Sequence, residues 1–418
     1  MPATPASAYH PLAAFTLYQK FVIGILAFLQ FTVFLDFAIL QPLAPVLMPA
    51  LQIEASDFGL VVSVYAFSAG ISGILTAGFA DRFDRKRLLL LFYAGFLLGT
   101  LWCGFAPTFH LLLTARIVTG LFGGVIGSII GAIITDLFPL EMRGRVMGWV
   151  QAAFAAGQVM GLPLGLWLGN HLGWHGPFRV IAAVGLLVGI VIAAKLKPLT
   201  EHLKYQAGRH PLTHLLKVAT TPRYLIGFAA TMLTATGGYM IAPFATVFTV
   251  HNLGIPYAKL PMIFMASGAA GMIAGPLLGR IADSVGKFKI LTIFTALHIC
   301  YLYWYTRLGP SPLWLVLAAQ CAFAVMLSAR ISSTAALVSA VPAPPDRGAY
   351  MSVAASMQQL SGAVASLVAG WVVIIDHDTE IIKNYYILGW IVIGTMTATW
   401  LQMRRVNKMV STQTNPKK

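Results

Sequence analysis

Residues 74–92 read ILTAGFADRFDRKRLLLLF, in which a dense charge cluster separates two apolar runs. Six of the seven positions 81–87 are charged, and no other Asp, Glu, Lys or Arg occurs between Asp57 and Arg116. A helix needs about 20 residues to cross the hydrocarbon of a bilayer, and each flanking run is long enough. The stretch is therefore predicted to be a polar connector between two membrane-spanning helices.

The same alternation continues along the chain. Its 418 residues are 58% hydrophobic and 10% charged, which excludes a soluble protein and a soluble domain on a single anchor. Lipid offers no hydrogen-bond partner to backbone polar groups, so the chain has to satisfy them itself. Apolar runs of about 20 to 28 residues therefore predict helices rather than strands. Twelve such runs begin near Phe21, Phe58, Leu88, Leu111, Met147, Phe178, Tyr224, Leu260, Phe288, Leu313, Met351 and Tyr385.

The distribution of charge predicts the orientation. With the N-terminus in the cytoplasm, 22 of the 28 Lys and Arg residues lie on cytoplasmic connectors or tails. By the positive-inside rule both termini are expected in the cytoplasm, and the net charge of +15 reports topology rather than a nucleic-acid partner. The exceptions are Arg179, Lys259, Arg307 and Lys383 on the opposite side, and Arg116 and Arg330 within spans.

Cofactor and catalytic motifs are missing from the sequence. The three cysteines, Cys103, Cys300 and Cys321, all fall within spans, so buried packing thiols are expected rather than disulfides. Met262 and Met265 have no His or Cys beside them to complete a metal site. Without a P-loop, H-E-x-x-H or G-x-S-x-G motif, the chain is predicted to be no enzyme and to need no metal or cofactor.

An internal repeat divides the spans six and six. Asp81 matches Asp283 at an offset of 202 residues, and Arg143 matches Arg347 at an offset of 204. Parallel repeats of six spans are an architecture in which one half rocks against the other. The predicted units are a cytoplasmic tail over residues 1–20, six-helix bundles over 21–196 and 224–404, a cytoplasmic linker over 197–223 and a cytoplasmic tail over 405–418.

The charged connector also carries a family resemblance. Residues 78–87 resemble the signature G-x-x-x-D-R-x-G-R-K/R of the major facilitator superfamily, with Asp84 where the family has glycine. Asp visits the left-handed region at modest cost, so the turn is expected to survive. The second-half copy, residues 279–287, keeps the glycine at Gly286. The resemblance implies the major facilitator fold, an all-α membrane protein of twelve transmembrane helices in two pseudo-symmetric six-helix bundles.

Three further motifs resemble the drug:proton antiporter and arabinose-efflux-permease type of that family. Span one reads LDFAILQPLAP from Leu35, with Ala38 and Gln41 replacing the usual Thr and Asn. Span four has R-x-x-T-G from Arg116, where the family has R-x-x-Q-G. Span five resembles the family's antiporter motif, with Pro163 displaced by one residue. By this resemblance, the residues that pack between the two halves would be Gly157, Gly161, Pro163 and Gly165.

Asp36 is the candidate proton-coupling residue. It lies about fifteen residues into span one, roughly 22 Å along the helix, and no other carboxylate is so placed. An acid at that depth is by default functional, and Arg116 is its natural partner. The alternatives are a permanent structural ion pair for Asp36 and an arginine that snorkels to the outer interface for Arg116.

Arg330, near the middle of span ten, breaks the repeat because Ile126 occupies the aligned position. It is a candidate ligand for an anionic or carbonyl-bearing substrate group, or a lock that pairs with Asp36 or with helix-end carbonyls. His298 in span nine is expected to be structural. Mid-span polar residues are the other cavity candidates, although tyrosines also anchor helices at interfaces: Gln41, Tyr65, Tyr239, Gln358 and Gln359.

The two charged connectors are predicted to form a conformational latch that holds the outward-open state. By resemblance, Asp81 would sit at the positive N-terminal end of span eleven, and Arg85 would pair with Asp136. The second copy lacks that partner because Ala340 stands opposite Asp136, so it should be weaker. The predicted latch residues are Gly78, Asp81, Arg82, Arg85, Asp136, Gly279, Asp283 and Lys287.

Together these features predict a secondary transporter of the bacterial inner membrane that exports a small organic molecule, drug-like or sugar-like, in exchange for protons. The proton gradient would supply the energy, and a monomer is expected because monomers are common in the family. One alternative is a symporter or uniporter that imports a metabolite or organic anion. A second is a membrane sensor that does not transport.

Overall fold

The computed structural model describes residues 15–77, 82–200, 203, 211–343, 346–376 and 378–414. These residues form helices joined by short connections, and the described part contains no β-strand beyond one isolated bridge between Ile375 and Ile382. The α-helices are α1 (Leu17–Ile39), α2 (Ala44–Leu51), α3 (Ala55–Ala77), α4 (Arg85–Cys103), α5 (Phe109–Leu137), α6 (Leu140–Ala156), α7 (Leu162–Leu172), α8 (Gly176–Lys195), α9 (Pro211–Thr220), α10 (Pro222–Val247), α11 (Leu260–Val285), α12 (Lys287–Tyr305), α13 (Leu313–Val338), α14 (Arg347–Val372) and α15 (Tyr385–Thr414).

Twelve long helical rods can be traced through the described residues. A π-helical turn, Gly157–Gly161, joins α6 to α7, so these two helices form one rod. Pro163 follows this turn and has no N–H to donate to the preceding turn, which explains the widened helix. Within the described residues, nine rods are long and apolar enough to span a bilayer by composition, while α12, α14 and α15 carry more polar residues.

Two helices extend beyond the bounds predicted for their spans. The N-terminal tail was predicted to end at residue 20, but α1 begins at Leu17 because Thr16 and Gln19 form a reciprocal capping box. The C-terminal tail was predicted from residue 405, but α15 continues to Thr414. The linker over residues 197–223 contains the short helix α9.

The two halves repeat the same helix pairings. In the first half α5 packs against α3 and α4, and α1 packs against α6. In the second half α13 packs against α11 and α12, and α10 packs against α14. These are the equivalent rods at an offset of six, so the repeat that the connectors predicted is present in the packing.

The cores show which end of the bundle is closed. The α2 end, which holds α2 and the start of α3, has one apolar core with residues from both halves, such as Leu35 and Phe244. At the opposite end, where the linker residues 197–200 lie, each half has its own core, one around Ile133 and one around Tyr350. We call this opposite end the linker end. The halves therefore share one apolar core at the α2 end and have separate cores at the linker end.

A glycine pair makes the closure at the α2 end possible. A Cβ on Gly59 of α3 would come within 2.8 Å of the Cα of Gly370 on α14, and one on Gly370 within 2.8 Å of the Ala55 carbonyl oxygen. Helices approach this closely only where both carry small residues. The first and second halves thus contact each other backbone to backbone at this end.

Candidate functional site

Asp36 and Arg116 form a buried ion pair in the first half. Arg116 Nη1 lies 2.9 Å from Asp36 Oδ2, and their side chains are 1% and 0% exposed. The same nitrogen donates to the Asp36 carbonyl oxygen at 3.3 Å. Arg116 does not snorkel to an interface, because its charged head points inward to a carboxylate that α1 supplies.

Thr100 completes the set of donors around the carboxylate. Its Oγ1 on α4 donates to Asp36 Oδ1 at 2.9 Å, so both carboxylate oxygens accept a hydrogen bond. Sequence analysis missed Thr100 because threonine is common in apolar helices and nothing in one sequence gives its depth relative to Asp36. Within the described chain, Asp36 is the one acid among the buried polar residues.

Aromatic side chains connect this ion pair to the second half. The Arg116 guanidinium lies over the Tyr65 ring at 4.4 Å, a cation–π contact that stabilises its charge. The Phe37 ring lies 5.1 Å from Tyr65 and 5.8 Å from Tyr239 on α10. Tyr239 in turn donates to Gln359 Oε1 on α14 at 2.7 Å. Three predicted cavity residues therefore lie along one path between the halves.

Of the five mid-span cavity candidates, the other two, Gln41 and Gln358, lie away from this path. Gln41 is half-buried in the turn after α1, and Gln358 is exposed on α14. Neither side chain is a hydrogen-bond partner of Asp36 or Arg116 in the described chain.

The Asp36 carboxylate has two possible states, ionised and paired with Arg116, or protonated and unpaired. While Asp36 is ionised, its charge is neutralised by Arg116 inside a closed site, and breaking such a buried pair is costly. Protonation of Asp36 removes the attraction and frees the guanidinium for another partner. Asp36 has no exposed surface in this structure, so its carboxylate is closed off from bulk solvent.

Arg330 lies elsewhere. It is 7% exposed on α13, and its Nη1 donates to Nδ1 of His298 on α12 at 3.3 Å. The alternative that Arg330 locks onto Asp36 is therefore wrong in this structure, since Asp36 is occupied by Arg116. His298 is buried rather than lipid-facing and serves as the acceptor for this arginine.

The latch residues are only partly described. Gly78 and Asp81 lie outside the described residues. Arg85 Nε lies 3.0 Å from Asp136 Oδ2, which ties α4 to α5 within the first half. Arg82 is exposed at the start of this connector.

In the second connector, Asp283 is 71% exposed and lies 3.7 Å from Lys287 on the next helix, a weak surface contact. A Cβ on Gly279 would meet open space.

The Asp84 turn differs from the expectation of a left-handed residue. Asp84 has φ −56° and caps α4 by accepting from the Lys86 N–H at 3.0 Å. It also accepts from the Leu199 N–H at 2.8 Å, which anchors the start of the linker. At the aligned position, Gly286 has φ +106°, a conformation that favours glycine. The two copies of the motif therefore turn by different backbone paths.

The glycines of span five do not pack between the halves as predicted. A Cβ on Gly157 would meet Phe34, one on Gly161 would meet Leu35, and one on Gly165 would meet Ile39. All three neighbours are side chains of α1 in the same half, so this glycine face packs against α1 rather than against the second half. Pro163 follows the π-helical turn and is half-buried.

The close contact across the halves comes instead from α11. A Cβ on Gly268 would come within 3.1 Å of the Val159 Cα in the π-helical turn.

The prediction of buried cysteines also fails at Cys300, which is exposed, while Cys103 is buried.

Comparisons with known proteins agree with this architecture. The sequence matches the profile of the Major Facilitator Superfamily over residues 26–365. It is 26% identical over 264 residues to the uncharacterized MFS-type transporter YceJ of Bacillus subtilis (strain 168), covering 63% of this chain and 67% of that protein. It is 25% identical over 284 residues to Multidrug resistance protein 2 of the same organism, covering 66% and 70%.

Solved structures share the fold. A mutant of the nucleoside transporter NupG superposes with a TM-score of 0.74 at 14% identity, covering 93% of this chain and 99% of that one. A bacterial homolog of the human lysosomal transporter Spinster, in an inward-facing and unoccupied conformation, gives 0.69 at 18% identity, covering 95% and 97%. With a family match over most of its length, the chain belongs to the Major Facilitator Superfamily and is a multi-pass membrane transporter.

Proposed function

We propose that this transporter exports a small organic molecule in exchange for protons across the inner membrane of a bacterium. The linker end, with both termini, would face the cytoplasm, as the charge distribution favours. The proton gradient would supply the energy without a cofactor, and the monomer would be the working unit.

The buried Asp36–Arg116 ion pair is the observation that carries this proposal. A carboxylate inside a membrane bundle is costly unless it is paired, and a site that only needed stability would be served as well by apolar residues. The pair can alternate between two states, ionised and bound or protonated and released. That alternation is what coupling a proton to a helix movement requires.

The path from Arg116 to Gln359 supports a substrate site between the halves. Arg116, Tyr65 and Phe37 belong to the first half, whereas Tyr239 and Gln359 belong to the second. A ligand at this level would contact both halves, so its binding would depend on how they are rotated. Protonation of Asp36 would free Arg116 at the same level and thereby change the affinity for the ligand.

Alternating access would follow from the way the cores are arranged. The joined core at the α2 end and the separate cores at the linker end describe a molecule closed on one side. Rocking the halves would separate the Gly59–Gly370 contact and bring the linker-end cores together. By the family resemblance, Asp81 would latch that second state at the N-terminal end of α14, with Arg82 on the same connector. Arg85 and Asp136 would hold that connector within the first half, and Asp283 and Lys287 would form a weaker latch.

The names of similar proteins favour export of a drug-like compound over import. Three relatives are named multidrug resistance proteins, at 25%, 23% and, over 125 residues only, 32% identity. A proton-coupled importer or a uniporter for a metabolite is the rival within the same fold, because a fold hosts many substrates.

Proton flux in sealed vesicles tests the proposal. A melting screen of the purified protein against antibiotics, sugars, nucleosides and organic acids would first identify a ligand, since about 100 times its Kd adds roughly 2.7 kcal/mol of stability. Proteoliposomes with an internal pH dye would then be given that ligand. We expect counterflow of ligand and protons in the wild type, none in Asp36→Asn, and normal flux in the control Asp378→Asn, which changes an exposed loop acid.

Transport of the ligand with no change in the internal pH would contradict proton coupling and favour a uniporter. Co-directional movement of ligand and protons would make the protein a symporter. An Asp36→Asn protein that keeps wild-type proton flux would remove the proposed coupling site.

A further inference from the structure

Three buried polar side chains share one face of α13. Arg330, Ser333 and Thr334 are spaced i, i+3 and i+4, so they are neighbours on the helix surface. Their exposures are 7%, 1% and 6%. Arg330 Nε, Ser333 Oγ and Thr334 Oγ1 have no hydrogen-bond partner in the described chain. Buried polar atoms are nearly always paired, so three neighbouring exceptions indicate a missing partner.

The missing partner has to carry negative charge. The sequence has no Asp or Glu between Glu201 and Asp283, or between Asp283 and Asp346, so no span of the second half offers a central carboxylate. Asp283 is exposed at the end of α11, where it faces Lys287. His298, the described partner of Arg330, supplies a nitrogen lone pair and no negative charge. A buried guanidinium without a counter-charge is strongly unfavourable in a membrane bundle.

Helix geometry brings the three groups together. Side chains on a helix lean toward its N-terminus, so the hydroxyls of Ser333 and Thr334 lie over the turn that carries Arg330. Each hydroxyl is a donor that rotates to suit its acceptor, and Nε is a fixed donor. The face therefore presents three donors, one of them charged, and hydrogen bonds from a charged donor to an anion are the strong ones.

We propose that Arg330, Ser333 and Thr334 bind a small monovalent anion inside the second half. The anion would supply the charge that Asp36 supplies to Arg116 in the first half. A single buried cation favours a partner with one negative charge over one with two. Two sources fit this chemistry, an inorganic halide held as a resident ion and the carboxylate group of a transported molecule.

Melting of the full-length protein in nanodiscs tests the proposal. The melting temperature would be followed while sodium bromide replaces sodium gluconate at constant ionic strength. Gluconate serves as the reference because a site for a small anion would not admit its six-carbon polyhydroxylated chain. We expect it to rise with bromide and to saturate, because a ligand that binds only the folded protein stabilises it. Bromide soaked into crystals of the same protein would give an anomalous peak beside Arg330.

Variants assign the effect to the site. Arg330→Gln should abolish the response to bromide. Ser333→Ala and Thr334→Val should each weaken apparent bromide affinity by about tenfold, since each removes one hydrogen bond to a charged group. These two also serve if Arg330→Gln does not fold. The matched control is Arg307→Gln, which removes an arginine that lies over the Tyr303 ring outside this site and should keep the wild-type response.

A second series distinguishes the source of the anion. If sodium acetate or benzoate raises the melting temperature and bromide does not, with the response lost in Arg330→Gln, the site binds a carboxylate group of the substrate. If neither halide nor carboxylate shifts the wild-type melting temperature, or if Arg330→Gln keeps the full shift, the proposal is wrong. These readouts measure binding alone and do not depend on proton coupling at Asp36.

Discussion

Arg116 and Arg330 occupy equivalent helices of the two halves, α5 and α13, but they are neutralised in different ways. Arg116 pairs with Asp36 at 2.9 Å and stacks on Tyr65. Arg330 contacts the uncharged acceptor His298 at 3.3 Å. Both leave Nε without a hydrogen bond in the described residues, so the difference lies in the charge of the partner. In the first half a carboxylate of the protein neutralises the buried arginine, whereas in the second half the buried arginine needs an ion from outside.

The contrast between Arg116 and Arg330 shows how a repeated fold acquires asymmetry. Arg116 lies about 10 Å along α5 and Arg330 roughly 26 Å along α13, at 1.5 Å per residue, so neither has a counterpart at the aligned position. The packing of the two halves is conserved between them, whereas their buried charges are not. A transporter needs this asymmetry, because proton and ligand have to be bound by different groups.

The largest expected effect comes from breaking the complete pair. Arg116→Leu leaves Asp36 buried without its cation, and breaking a buried pair costs about 3–5 kcal/mol. Unfolding of the purified variant in detergent would measure this loss of stability. Adding Asp36→Leu should recover most of it, since paired apolar residues replace a buried ion pair at little cost. If the double variant is as unstable as the single one, the ion pair is not the source of the loss.

An intermediate effect is expected at Thr100. Thr100→Val removes one hydrogen bond to a charged carboxylate at nearly constant volume, which should cost about 1.5 kcal/mol. The control is Thr114→Val, whose hydroxyl bonds to the His110 carbonyl oxygen of its own helix and is exposed. The control should change the free energy of unfolding by less than about 0.5 kcal/mol. Equal losses in the two variants would mean that Thr100 acts only through local packing.

The smallest effect is expected in the incomplete site. In sodium gluconate, Ser333→Ala removes a buried hydroxyl without a partner, so stability should stay within about 0.5 kcal/mol of the wild type or increase. Chemical unfolding in gluconate would measure it. A loss comparable to that of Thr100→Val would show that Ser333 has a protein partner and that its site is not vacant for an anion.

The Asp36–Arg116 contact could be predicted from the sequence because charged residues within the spans are scarce. Asp36 is the one carboxylate deep in a span, and Arg116 is one of two arginines within spans. Each therefore has few other possible partners, and the two could be paired from their positions alone. The same reasoning failed for Arg330, where several partners were open. Its contact with His298 depends on the register between α12 and α13, which hydrophobic composition does not specify.

Local backbone geometry was also beyond the sequence. Asp84 and Gly286 align in the repeat, and the expectation was that both turns share one conformation. Asp84 instead uses its side chain to cap α4 and to hold Leu199, which a glycine cannot do. For the glycines of span five, spacing correctly indicated a common face but not that α1 would cover it, because helix rotation is set by the whole bundle.

Melting of Arg116→Leu and Arg330→Leu side by side, in bromide and in gluconate, tests the contrast between the two halves most directly. We expect Arg116→Leu to be destabilised in both salts, because Asp36 then stays buried without its cation. Arg330→Leu should be less stable than the wild type in bromide and as stable or more stable in gluconate, where the wild type lacks its counter-ion. A loss in gluconate as large as that of Arg116→Leu would contradict the account, since Arg330 would then be neutralised by the protein itself.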